Sequence, residues 1–406
     1  MLLAVLLMAC HQVSVEQPSN QPGQLEGKLL IWHPFQGDVA TIFLDGLKKF
    51  QQLNPSIALI SEYVPQNEIS SRLSAQAKNS LGASLMIDFA RRQMPEMITA
   101  GHIQPINEGT FDLSVYFAPT LTQVRYQGQI YGVPLGSQID VLCYNQAKIK
   151  QASSSAQSLS QPPTRLERLI ERAQKGYSVG LVSTFEDTFW GMGIFHAQFF
   201  DSQGFIEPQL EGWAQWLEWL RQANTQPNFI LTRSRDILHK AFAQGKLTYY
   251  VCNSSEIGDL KNDLKDHLRV APLPAELDRR ATPILYTQVM ILNRSASPDE
   301  THLALKLAKF MTNPEQQLQG IVQSQSFIPT NQNVKIDEDL LPIEKVLLEQ
   351  AKTSVAIPLD ELERIMSVFE QGDLLYHQVL EGDLTSSEAA RQLSEIVNQQ
   401  IEQKEK

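Results

Sequence analysis

Apolar residues in the first third of the chain alternate between two spacings. Lys28-Leu29-Leu30-Ile31-Trp32 is a short apolar run of strand length, and a Pro/Gly loop, HPFQGD, follows it. TIFLDGLKKFQQLNP then puts Phe43, Leu47 and Phe50 at helical spacing, until Asn54-Pro55 stops the helix. IALISEYVP predicts a second strand, EISSRLSAQAKNS a helix with Ile69 and Leu73 on one face, and SLMIDFA a third strand. This βαβαβ order predicts a parallel α/β layer.

Further along, VRYQGQIYGVPLG predicts a hairpin around Gln127-Gly128, and VLCYN another strand. The Ser-rich stretch QASSSAQSLSQPP reads as a surface loop. Thr164 is the expected cap of RLERLIERAQKG, whose Leu166, Leu169, Ile170 and Ala173 share a face and whose Gly176 ends it. YSVGLVS, LTYYVCN and RVAPLP are strand candidates with helices between them. Trp213, Trp216, Leu217 and Leu220 trace one helical face, which reads as core rather than as an aromatic platform. Ser297-Pro298-Asp299-Glu300 is a capping box with Pro at the first helical position, and Thr385 with Glu388 is a possible second box in a mostly helical C-terminal third.

Composition narrows the class. The 406 residues suggest roughly two domains at about 150 residues each. A net charge of −11 with no basic block argues against nucleic-acid binding. No run after the N-terminus reaches the roughly 18 apolar residues that span a bilayer. Cysteine occurs only at 10, 143 and 252, with no Cys-x-x-Cys or Cys/His cluster, so neither a structural zinc nor another metal is expected. Cys143 and Cys252 could pair; two buried free thiols on strands is the favoured reading, because sequence does not supply the Cα geometry a disulfide needs. No cofactor motif stands out, and His-Glu-x-x-His, Gly-x-Ser-x-Gly and P-loop patterns do not occur.

The opening, MLLAVLLMACHQ, admits three readings: a buried helix start, a secretory signal peptide, or a lipoprotein signal. Leu7-Met8-Ala9-Cys10 resembles the bacterial lipobox, in which the Cys becomes the lipidated N-terminus. The Gln-, Ser- and Pro-rich segment after it has no periodicity and reads as a flexible tether, which suits the third reading best. No Lys or Arg precedes the apolar run.

The order and wording of these segments resemble the extracellular solute-binding proteins of bacterial ABC importers (family 1, maltose-binding-protein-like). KLLIWHPFQGD, FLDGLKKFQQLNPSI, AGHIQPINE, VRYQGQIYGVPLGSQIDVLCYN, VAPLP and TQVMILNRSASPDETHLALKLAKFMTNPEQQ carry the resemblance, from about Lys28 to the C-terminal helices. It implies an α/β, two-lobe, periplasmic-binding-protein-like fold (type II), with discontinuous lobes joined by a hinge and a ligand cleft between them. The implied division is 1–26 signal and tether, 27–135 and 275–314 lobe one, 136–274 and 315–406 lobe two. It also implies hinge closure on a small-molecule solute and docking to ABC transporter permease subunits, by a monomer anchored through Cys10 at the periplasmic or extracellular face of the membrane. Three places depart from the group's pattern: Ser84-Leu85, Arg165 and Ser255-Glu256.

Ligands in open α/β lobes sit beyond the carboxyl ends of strands. That rule selects Trp32, His33, Phe35, Gln36 and Asp38 after the first strand, with Trp32 as core and Asp38 as a helix N-cap the competing readings. It also selects Arg91 and Arg92 after the third strand, Gln138 and Asp140 at the first hinge crossing, Glu186, Asp187 and Trp190 in STFEDTFWGMG, with helix-start acids and a core Trp the competing reading, and Asn253, Ser254 and Glu256 after LTYYVC. Tyr286 and Phe327 complete the set. By resemblance, Gln138 falls where the group uses a carboxylate on sugar. The expected ligand is a sugar, oligosaccharide or polyol. The Arg pair keeps an anionic alternative open, such as a glycerophosphodiester or sugar phosphate. A solute sensor is a second rival. A surface-anchored glycoside hydrolase is less favoured, since adjacent carboxylates do not oppose each other across a bond. No catalytic residue is expected.

Overall fold

A computed structural model describes residues 26–404 apart from 78–81, 92, 110, 153–160, 201–205, 210–211, 277 and 325–326. The expected signal, the lipidated Cys10, Arg92 and most of the Ser-rich loop therefore lie outside the described residues.

The strands, in chain order, are β1 (Gly27–His33), β2 (Ile57–Tyr63), β3 (Leu85–Phe89), β4 (Arg125–Tyr126), β5 (Gln129–Ile130), β6 (Val133–Gln138), β7 (Asp140–Asn145), β8 (Val179–Val182), β9 (Gln198–Phe200), β10 (Ile206–Gln209), β11 (Phe229–Thr232), β12 (Tyr249–Asn253), β13 (Leu268–Ala271) and β14 (Tyr286–Leu292). Two five-stranded sheets result, ordered β2-β1-β3-β14-β6 and β11-β8-β12-β7-β13. In each, three strands run parallel, the fourth is antiparallel, and the fifth returns parallel to the first three. The expected parallel layer is thus present in both lobes, with one reversed strand in each.

The reversed strands are where the chain changes lobe. β6 ends the first sheet at Gln138 and β7 begins the second at Asp140, so the first crossing is at Ile139, between the two residues expected at the first hinge crossing. β13 ends the second sheet and β14 re-enters the first. The helix Pro314–Ser324, expected in lobe two, packs instead on the helix Gly37–Leu53 of lobe one. The two-lobe architecture implied by the resemblance is the one found.

Local chemistry explains most element ends. Gln127 and Gly128 both have positive φ, 47° and 79°, which a two-residue β4–β5 turn requires. Ser297 and Glu300 form the expected reciprocal capping box, and Thr385 Oγ1 accepts from Glu388 N at 3.2 Å. Thr164 does not cap its helix: Arg165 occupies the N-cap position with no side-chain bond there. Gln36, not Asp38, is the N-cap of Gly37–Leu53; Asp38 is an exposed acid in its first turn.

The Trp-rich helix Trp213–Asn224 is core, as its spacing predicts. Trp216 is buried, stacks on Trp219 at 5.1 Å and meets Trp190 edge-on at 5.1 Å. Cys143 and Cys252 are not free thiols; they form a disulfide across β7 and β12, Cα–Cα 5.8 Å. Neighbouring antiparallel strands bring the two Cα atoms into the range that a bridge spans, which linear spacing could not reveal.

Candidate functional site

The carboxyl ends of β8, β11 and β12 and the start of β7 meet on one face of lobe two. After β8, Thr184 caps the turn Phe185–Thr188 and takes the Asp187 N–H at 3.0 Å, while its hydroxyl donates to Asp187 Oδ2 at 2.5 Å. After β11, Ser234 caps the helix Arg235–Ala243 and so sets Arg235 in the first turn. After β12, Asn253 and Glu256 form a capping box, with Asn253 N donating to Glu256 Oε2 at 2.8 Å. Arg235 joins these ends: it donates to Asp187 Oδ1 at 2.6 Å and Glu256 Oε2 at 2.9 Å, and lies 3.8 Å from Asp140 Oδ1. Asn253 Nδ2 donates to Asp140 at 3.0 Å; Tyr250 Oη and His239 Nδ1 reach Glu256 at 2.8 and 2.9 Å.

The electrostatics follow from that geometry. Burial pushes Asp140 up to about 7 against the pull of Arg235. Burial works against the charge of Arg235, yet Asp140, Asp187 and Glu256 together hold it above its ordinary value. Burial likewise opposes the charge of Glu256, but His239, Arg235 and the Asn253 N–H keep it below the usual range. The hydrogen bond to Glu256 raises His239. This floor is a closed polar network whose members satisfy one another.

Lobe one faces it with the ends of β3 and β14. Arg91 lies over the Tyr286 ring, 4.3 Å from its centroid, and pairs with Glu186 of lobe two; Tyr286 Oη donates to the same carboxylate at 3.1 Å. Glu186 sits one residue before Asp187, so it turns toward lobe one while Asp187 turns to Arg235. Beside this contact is a cavity of about 440 Å³ lined by Gln66, Asn67, Asp88, Phe89, Arg91, Gln93 and Glu186. Asp88, 3 % exposed, accepts from Phe89 N at 2.7 Å, and burial raises it to about 7 despite that bond and one from Gln66. Farther along, Gln36 and Asp38 of lobe one and Ser255, Lys261 and Lys265 of lobe two border a second chamber of about 770 Å³.

Of the residues selected from sequence, Arg91, Glu186 and Tyr286 meet between the lobes, and Asp187, Asn253 and Glu256 meet on the lobe-two floor. Three others are corrected. Trp32 is 1 % exposed, gives its indole N–H to Glu62 at 3.1 Å, and lies beneath Arg72, so it packs inside lobe one. His33 is 4 % exposed among Phe35, Phe43 and Tyr63, and burial lowers its pKa. Trp190 is 1 % exposed against Trp216. Strand ends select positions, but large rings there were drawn into the core by their own apolar area. Gln36 bonds Tyr63 Oη; Gln138, half-buried, pairs with Tyr286 in the first sheet; Phe327 borders an apolar cavity under Gly136, near the hinge.

Arg235, Asp88, Phe89, Gln66 and Gln93 were not selected from sequence. Arg235 follows the short edge strand β11, where only Phe229 is buried, so no apolar pattern announced the strand end; Ser234 as a helix cap was the available signal. Asp88 lies inside an apolar strand, where a lone carboxyl is itself the anomaly. No group of three or more metal-ligating side chains converges among the described residues.

The chain is similar in structure to several proteins of known ligand. A cyclo/maltodextrin-binding protein solved with maltotetraose superposes with a TM-score of 0.75 at 20 % identity, covering 92 % of this chain and 97 % of that one. The GacH receptor of Streptomyces glaucescens, solved unliganded and with acarbose, gives 0.76 at 18 %, covering 93 % and 99 %. The maltose/maltodextrin-binding domain MalE of Bdellovibrio bacteriovorus, bound to maltotriose, gives 0.72 at 20 %, covering 93 % and 100 %. At such identities the likeness establishes the fold. A family model described as bacterial extracellular solute-binding protein matches residues 47–341, most of the chain, and with the two crossing lobes and their shared cleft this protein belongs to that family.

Proposed function

We propose that this protein captures a sugar, oligosaccharide or polyol outside the cytoplasm and presents it to the permease of an ABC importer. In this reading the lobes correspond to the two sheets with their helices and close about Ile139 and the β13–β14 connection. The protein acts as a monomer anchored by lipid on Cys10. The Cys143–Cys252 disulfide suits an oxidising compartment outside the cytoplasm. The sugar ligands of the three similar structures support the solute class.

One observation carries the reading: the interlobe cavity offers amides from Gln66, Asn67 and Gln93, a buried carboxyl from Asp88 and the ring of Phe89, which are the partners hydroxyls and sugar faces need. Among the described residues, the two arginines of the cleft, Arg91 and Arg235, are already paired with carboxylates of the protein itself. An anionic solute would have to displace an internal acid to reach either, so the anionic alternative is the weaker one. Glu186 and Asp187 turn to different arginines, an arrangement for binding rather than for hydrolysis.

The test is thermal unfolding of the chain from residue 27 onward against sugars, polyols, sugar phosphates and amino acids. A ligand at 100 times its dissociation constant stabilises by about 2.7 kcal/mol, a shift of several degrees for a protein of this size. Sugars or polyols alone should produce it. Glu186→Ala and Phe89→Ala should each weaken the responding ligand at least tenfold, on the order of 1.4 kcal/mol. Unchanged affinity in both variants would remove this cavity from the site. A response to phosphorylated compounds alone would reinstate the anionic reading, and no response to any compound would favour a sensor of another solute.

A further inference from the structure

The cavity between the lobes is short of positive charge. Asp88 and Glu186 both line it, and Arg91 is its one described cation. Arg91 is spent on Glu186 and on the Tyr286 ring. Among the described residues, Asp88, buried within β3, has two partners, the Phe89 N–H and the Gln66 amide, and both are neutral. Among the described residues no Lys, Arg or His lies within ion-pair distance of it. A carboxyl buried without a countercharge is costly, and strands rarely keep one inside an apolar run without a use.

A second observation points the same way. Gln93 lines the same cavity, and its amide oxygen is buried with no hydrogen-bond partner. That oxygen is an acceptor waiting for a donor. Phe89, half-buried on the same wall, adds a ring face, which attracts cations. A carboxyl with no described countercharge, a carbonyl oxygen with no hydrogen-bond partner and an aromatic face together fit a group that only donates and carries positive charge.

Resting on the sugar reading above, we propose that the cavity selects a solute bearing a basic amine, an amino sugar or an aminated polyol, with Asp88 as the group that reads the ammonium. The ammonium supplies the countercharge that no described residue provides, and Gln93 takes one of its N–H bonds. A hydroxyl in the same place can accept as well as donate, but it leaves Asp88 without its charge partner.

The experiment compares matched pairs that differ by one amine for one hydroxyl: glucosamine with glucose, galactosamine with galactose, and the β-1,4-linked glucosamine dimer with cellobiose. Binding is measured by calorimetry on the wild type and on Asp88→Asn, with Gln93→Ala as a second variant. The expected result is at least a tenfold preference for the amine in any pair that binds. Asp88→Asn should bring that ratio to about one, with the amine partner's affinity falling at least tenfold further than the hydroxyl partner's. Gln93→Ala should lower the ratio in part. Equal or tighter binding of the hydroxyl partner, or an undiminished amine preference in Asp88→Asn, overturns the proposal and leaves the sugar reading standing. No binding of either member of any pair overturns both. The melting curve of Asp88→Asn shows that the variant is folded, so a lost preference cannot be a lost structure.

Discussion

Single side chains decide how this cleft holds together. Arg235 has three carboxylates around it and supplies two of them with direct hydrogen bonds. We predict that Arg235→Leu, which keeps the bulk and removes the charge, destabilises the protein by about 3 kcal/mol, because it strands Asp187 and Glu256 as partly buried acids. Urea unfolding checks this through a lower midpoint at unchanged slope. Asp88 gives the opposite case. Its pKa in the fold is raised above the ordinary carboxyl value to about 7, so between about pH 4 and 7 the folded state holds a proton that the unfolded chain has released. Stability from this group therefore falls as pH rises through that window, and the loss is complete above it. Asp88→Asn should match the wild type in melting temperature near pH 4 and exceed it by several degrees at about pH 8. Equal melting temperatures at the higher pH would mean that Asp88 carries no such burden. Asp140 titrates over the same range in both proteins and cancels in the comparison.

At the scale of elements, the sequence was legible where burial is two-sided or helical faces are wide. β1, β3, β8 and β12 and the Trp-rich helix follow their apolar patterns, and the edge strand β2 was read from its seven-residue length and the Asn54-Pro55 stop before it. β11 escaped because its four residues, only one of them buried, are too few to show a pattern. The site was half legible for a related reason. The strand-end rule located Arg91, Glu186, Asp187 and Glu256, but it gives position without orientation, so it also drew in Trp32, His33 and Trp190, whose rings point into the core. Asp88 was hidden by the rule itself, since it lies within a strand and not beyond its end. The disulfide was beyond reach for another reason: it depends on which strands become neighbours. β7 and β12 are joined by it across 109 residues of sequence. Replacing both cysteines by serine should lower stability by about 2–4 kcal/mol, read as the denaturant midpoint. An identical midpoint would show that the strand ladder alone suffices.

For the whole molecule, the contact between lobes matters most. Arg91, Tyr286 and Glu186 tie lobe one to lobe two. Each charge is partly exposed, so the tie is worth roughly 1 kcal/mol, enough to shift the balance of open and closed forms about fivefold but not to fix it. Glu186→Gln should therefore raise the radius of gyration of the ligand-free protein in X-ray scattering. An unchanged radius would mean that packing elsewhere sets the angle between the lobes.

The exchange of strands between the lobes has a consequence for synthesis. The first sheet needs β14, which ends at Leu292, to join β3 to β6, while β7 to β13, which build the second sheet, come earlier in the chain. A chain emerging from a ribosome or a translocation pore cannot complete its N-terminal lobe until most of its length is out. Early segments must wait without their partners, and pairing between strands so distant in sequence is slow. A protein built this way stays threadable for longer than one whose lobes follow each other along the chain, which suits passage through a membrane before folding.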